Sequence, residues 1–106
     1  MAWSASPSNY FSAWAFDGVS DITLPITCVP NLDAVDCDPT TGDIRKVMFD
    51  LLEQVYITWT ALPTADRSTR MTVSRSQSIN QATTYITRSY TYTFVLAPVG
   101  IEVVDE

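Results

Sequence analysis

The chain has 106 residues, of which 46% are hydrophobic and only 17% charged, with a net charge of −6 and no histidine. That length fits one domain with one core, and the acidic balance argues against nucleic acid as the main partner, because phosphate binding needs a basic face. The missing histidine removes the commonest general base and metal ligand, and with them Ser-His-Asp, Cys-His and zinc–histidine sites.

Charge is laid out unevenly. Residues 1–43 carry six acids and no base. Residues 44–101 carry all six bases (Arg45, Lys46, Arg67, Arg70, Arg75, Arg88) against Asp50, Glu53 and Asp66. The tail closes with Glu102, Asp105 and Glu106. An acidic part and a basic part in one small chain allow pairing between copies. The start MAWSASPSNYF has neither the basic nor the apolar region of a secretory signal. The apolar runs also fall far below the ~18 residues needed to cross a bilayer. The expectation is a soluble protein made in the cytoplasm, with no membrane partner.

Residues 1–9 are small, polar and proline-containing apart from Trp3, and read as an extended arm. Phe11, Ala13 and Ala15 then alternate with Ser12, Trp14 and Phe16. Asp17-Gly18 supplies a turn, and Ile22, Leu24, Ile26 and Cys28 alternate with Thr23, Pro25 and Thr27. That period of two predicts a hairpin, with Pro25 confining its second strand to an edge or a bulge. Cys28 and Cys37 flank a loop containing Pro30. A disulfide there is geometrically possible, but two cysteines make no framework, and they read as reduced thiols.

The clearest element follows. Ile44, Val47, Met48, Leu51, Leu52, Val55, Trp59 and Leu62 recur at spacings of three and four, with Lys46, Asp50, Glu53 and Gln54 off the stripe. This predicts an amphipathic helix over roughly 40–61, stopped by Pro63. Asp38 before Pro39, or Thr40 or Thr41, serves as its cap, with Asp43 favourable near the positive end. Two long strands come next, about 69–79 and 84–96. Met71 and Val73 alternate with Thr72, Ser74 and Ser76. Ile86, Tyr90, Tyr92, Phe94 and Leu96 alternate with Thr87, Ser89, Thr91 and Thr93. Asn80-Gln81-Ala82-Thr83 is the polar turn between them. A turn centred on Gln81-Ala82 sets Arg75 opposite Arg88, which costs stability unless an acid sits between them. Residues 97–106 form an acidic tail. The expected fold is α+β: one antiparallel sheet of about four strands in ββαββ order, with the helix packed on one face.

No chemistry follows from this pattern. The only glycines are Gly18, Gly42 and Gly100, so there is no phosphate loop. Asp33, Asp36, Asp38 and Asp43 form the one candidate cation cluster, since oxygen ligands on a loop suit calcium. The segment DCDPTTGD departs from the EF-hand pattern, however, with Thr41 and Val47 at the key glycine and glutamate positions. These acids read as solvated capping carboxylates, and no catalytic residue, metal or cofactor is expected. The remaining signal points to protein contacts. Five large rings crowd residues 3–16, more than one side of a small sheet can bury, so Trp3, Tyr10 and Trp14 are candidate anchors on a neighbour. Arg67, Arg70, Arg75 and Arg88 make a candidate basic face for acidic partners.

Three stretches carry a resemblance: NYFSAWAFDG, then TTGDIRKVMFDLLEQVY, then TRMTVSRSQSINQATTYITRSYTYTFVL. In combination they are similar to the small accessory structural proteins of tailed bacteriophage virions, in style over most of the chain rather than in a diagnostic motif. The resemblance implies a non-enzymatic virion subunit, first a capsid decoration or cement protein, and alternatively a tail or head–tail ring component. It implies homo-oligomers, with major capsid or tail subunits as further partners. No site residues carry over from it. From another class, a small cytosolic binding module, an adaptor or inhibitor, also fits the composition.

Overall fold

The segment before the main helix decides where that helix starts. In the computed structural model, which describes residues 5–98, 100 and 102–104, Asp38 Oδ1 accepts the backbone N–H groups of Thr40 and Thr41, both at 2.9 Å. The chain then folds back so that the Gly42 N–H meets the Asp38 carbonyl and the Asp43 N–H meets the Asp36 carbonyl, each at 3.0 Å. A β-carbon at Gly42 would overlap both of those carbonyl oxygens. The cap is therefore Asp43, which accepts the Arg45 N–H at 3.0 Å, and not Asp38, Thr40 or Thr41. The helix α2 spans Ile44–Ala61 and stops short of Pro63. Before it lie a helical turn α1 (Pro7–Tyr10) and two short 3₁₀ turns, Ile26–Cys28 and Ala34–Cys37.

After α2 comes a hairpin of two nine-residue strands, β3 (Met71–Ile79) and β4 (Ile86–Phe94). Its register pairs Val73 with Tyr92, Arg75 with Tyr90 and Gln77 with Arg88. Arg75 thus sits diagonal to Arg88 rather than opposite it. The shift arises in the turn. The Asn80 side chain accepts the N–H groups of Ala82 and Thr83, and the Asn80 N–H reaches the Tyr85 carbonyl. The loop is closed by Thr84 in the left-handed region at φ 60°. This turn is longer than the sequence suggests, and it moves every pair by two residues. Side chains still alternate as expected. Met71, Val73, Ile86, Tyr90, Tyr92 and Phe94 lie on the face toward α2, and hydroxyls lie on the other.

The first half does not build the expected sheet. β1 (Ala15–Phe16) and β2 (Ile22–Thr23) pair for two residues each and form their own sheet, so the architecture is α+β with two separate antiparallel pairs. The Asp17-Gly18 turn is present, with Asp17 Oδ1 accepting the N–H groups of Val19, Ser20 and Asp21 and Gly18 at φ 86°. The long second strand is cut because Pro25 has no N–H to continue a ladder and caps the 3₁₀ turn Ile26–Cys28. Residues 7–9, expected in an extended arm, begin α1, which packs on α2 through a bond from Gln54 Nε2 to the Tyr10 carbonyl at 3.2 Å. The beginning of the C-terminal tail folds back on the end of the hairpin, with Leu96 bridging to Val103.

The core is small. Among the described residues only Tyr10, Val29 and Val73 are buried, and none of the 18 residues of α2 is. Large apolar side chains stand in solvent, including Ile44 (68% exposed) and Ile86 (59%). The chain presents 7856 Å² of accessible surface, against about 5,900 Å² for a folded monomer of this mass. Its radius of gyration is 16.1 Å, against about 13 Å for a compact domain of this length.

Candidate assembly surface

The side of α2 that meets the hairpin carries Phe49, Leu52, Glu53 and Tyr56, themselves spaced three, one and three apart. Glu53 is the centre of this contact. Its carboxylate pairs with Arg75 Nη1 at 2.5 Å and lies 3.4 Å from Arg88 Nη1. The two guanidinium groups also lie over aromatic rings, Arg75 over Tyr56 at 4.4 Å and Arg88 over Phe49 at 5.8 Å. Arg88 further donates from Nε and Nη2 to Gln77 Oε1, at 2.9 and 2.7 Å. The Tyr92 hydroxyl donates to the Leu52 carbonyl; burial first, and the Glu53 charge second, push its pKa up to about 12. An acid therefore does sit between the two arginines, and it comes from the helix.

The basic face is thus used largely within the chain. Arg67 lies 4.7 Å over the Trp59 ring and donates to the carbonyls of Leu62 and Thr60, at 3.1 and 2.8 Å, closing the end of α2. The backbone of Arg70 continues the ladder through a bond from the Val95 N–H. Of the aromatic candidates, Tyr10 is buried against α2, and Trp14 is half-buried beside Phe11, with ring centroids 6.2 Å apart. Trp3 lies outside the described residues. Tyr10, Phe11, Trp14, Val55, Met71 and Phe94 line an open apolar cleft of about 420 Å³.

Sequence reading sets Glu53 off the apolar stripe and misses its place against the hairpin. The signal was present: Glu53 follows Phe49 by four and precedes Tyr56 by three, so it shares their face. The predicted apolar stripe overlaps this side at Leu52, and Val47, Leu51, Val55 and Trp59 are half-buried. Ile44 and Met48, at its start, remain exposed, and Val55 faces the cleft.

The acidic cluster is dispersed among local roles. Asp43 pairs with Arg45 at 2.8 Å, and this bond holds its carboxyl down at about 2. Asp36 lies 3.8 Å from Lys46, and Asp38 is lowered by the Thr41 and Thr40 N–H groups. Asp50 is raised, first by burial and then by Asp33 and Asp36. Among the described residues no group of three ligating side chains stands close enough to hold a metal ion. Cys28 and Cys37 are free thiols, donating to the carbonyls of Pro25 and Asp33. No helix in the described residues is long and apolar enough to cross a membrane.

What remains outward is one continuous polar face on the hairpin. Thr72, Ser74, Ser76 and Ser78 stand opposite Thr93, Thr91, Ser89 and Thr87, all exposed. Hydroxyls both donate and accept, so a face of this kind neither repels nor demands a charged partner. No protein-family model, curated protein or solved structure matches the chain.

Proposed function

We propose that the protein is a non-enzymatic structural subunit of a virion assembly, one that completes its core against copies of itself. The observation that carries this is the near-absence of a private core: three buried residues among those described, and an 18-residue helix with none. A two-stranded hairpin is at best marginally stable alone in water, and exposed apolar patches mark contact surfaces. The virion class comes from the resemblance of the three quoted stretches to phage accessory proteins. Within that class the surface favours a tail or head–tail ring component over a decoration or cement subunit. The accessible area exceeds the monomer expectation by about 2,000 Å². One standard contact covers about 800 Å² per partner, so at standard contact size more than one contact per subunit is needed to cover an excess of this order.

Sedimentation velocity across a micromolar dilution series tests this reading. A ring subunit sediments as a closed oligomer of many copies and loses mass on dilution. A monomer at every concentration refutes self-assembly and leaves the adaptor or inhibitor reading in its place.

A further inference from the structure

Antiparallel strands alternate between residue pairs that exchange backbone hydrogen bonds and pairs whose N–H and C=O groups point outward. The bonds from the Asn80 N–H to the Tyr85 carbonyl and from the Val95 N–H to the Arg70 carbonyl fix which is which here. Pairs 78–87, 76–89, 74–91 and 72–93 face inward. Met71, Val73, Arg75, Gln77 and Ile79 therefore direct their backbone groups to the outer edge of β3, which is covered at Val73 and open from Arg75 to Ile79. Ile86, Arg88, Tyr90, Tyr92 and Phe94 direct theirs to the open edge of β4. The described residues of the tail bond to the extension of β4, at Val95–Ala97.

Proteins that keep such edges solitary blunt them with proline, lysine, bulges or charges projecting inward along the strand. β3 and β4 contain no proline and no lysine, and their register runs unbroken over nine pairs. Their only charges, Arg75 and Arg88, are drawn onto Glu53 and the rings of α2. Among the described residues no proline, lysine or bulge interrupts the open stretch Arg75–Ile79 of β3 or the edge of β4.

We infer that the β3 edge of one copy pairs with the β4 edge of the next, so that the hairpins of successive subunits form one continuous antiparallel sheet. This names the contact within the assembly proposed above and rests on that reading. Three features select the occupant. Neighbours in the same orientation bring β3 against an oppositely running β4, the antiparallel arrangement. The outward groups on both edges belong to residues of the α2-facing side, so pairing them keeps that side and the hydroxyl side each continuous across copies. At standard contact size the excess area needs more than one contact per chain, and a hairpin has two edges; a β4–β4 dimer would use one and leave the other open.

Amide hydrogen exchange read residue by residue tests the pairing. In the assembled protein the outward amides of Arg75, Gln77 and Ile79 and of the β4 set exchange slowly, and on dilution to monomer they become fast while the inward set and the buried Val73 stay protected. Ile86→Pro removes an outward N–H without touching the internal ladder, and it weakens association by about tenfold or more. Thr91→Lys alters the hydroxyl face alone and leaves association unchanged. Oligomers whose outward amides exchange fast overturn the edge pairing and leave self-assembly standing. Loss of association in Thr91→Lys with an unaffected Ile86→Pro moves the contact to the hydroxyl face and overturns it as well. A chain monomeric at every concentration overturns both. The exchange pattern is read on the wild-type protein, so it decides even if the proline variant fails to fold.

Discussion

Replacing Glu53 by Gln keeps the shape of the side chain and removes the one carboxylate that faces Arg75 and Arg88. The size of the effect follows from the exposure of the three partners. The Glu53 side chain is 16% exposed, Arg75 32% and Arg88 30%. Solvent-exposed pairs contribute about 0.2–1 kcal/mol, while breaking a fully buried pair costs about 3–5 kcal/mol. This cluster lies between, so Glu53→Gln destabilises by about 2 kcal/mol. Most of that is the repulsion of two arginines left without a counter-charge. The same substitution made in an Arg75→Met, Arg88→Met background has little left to break and costs under about 0.5 kcal/mol. Urea unfolding followed by tryptophan fluorescence, at one fixed protein concentration so that association does not shift the midpoint, reads both values. Equal losses in the two backgrounds would show that Glu53 acts through packing alone and that the arginines do not depend on it. The cluster also means that reversing Arg75 and Arg88 to Glu attacks the fold before any interface, since it sets two more acids against Glu53.

Gly42→Ala places a methyl group against the Asp36 and Asp38 carbonyls and lowers stability by about 1–3 kcal/mol in the same melts; an unchanged midpoint would show that this loop opens freely. The Tyr92 phenol has its pKa raised from the ordinary value of 10.0 to about 12 in the folded chain. Its contribution is therefore complete below pH 10 and is lost as pH rises toward 12, so melting temperature falls over that window and Tyr92→Phe flattens the fall. The Tyr10 hydroxyl is buried without a hydrogen-bond partner among the described residues. Tyr10→Phe therefore shifts stability by less than about 0.5 kcal/mol or raises it, and a larger loss in thermal melts would reveal a partner.

The sequence shows the elements that local chemistry specifies and hides those that depend on what lies across from them. The helix end at Pro63, the Asp17-Gly18 turn and the two faces of the long hairpin are all legible, because proline, glycine and the period of two act within a few residues. The register is not. It depends on whether the link between the strands holds four residues or six, and only the Asn80 side chain with Thr84 at positive φ decides that. A turn two residues too short is enough to set Arg75 facing Arg88. The helix orientation fails for a related reason. Apolar spacing picks out Ile44, Val47, Met48 and Leu51, and in a monomer with a full core that stripe would be the buried one. Here the hairpin meets the side where the stripe residue Leu52 stands beside Phe49, Glu53 and Tyr56, and Glu53 supplies the counter-charge to Arg75 and Arg88. The Ile44–Met48 end of the stripe is left in solvent. Val47, Leu51, Leu52 and Val55 are half-covered by their own chain while Ile44 and Met48 are not, and a stripe covered at one end and bare at the other is what the proposed shared core requires of a single subunit.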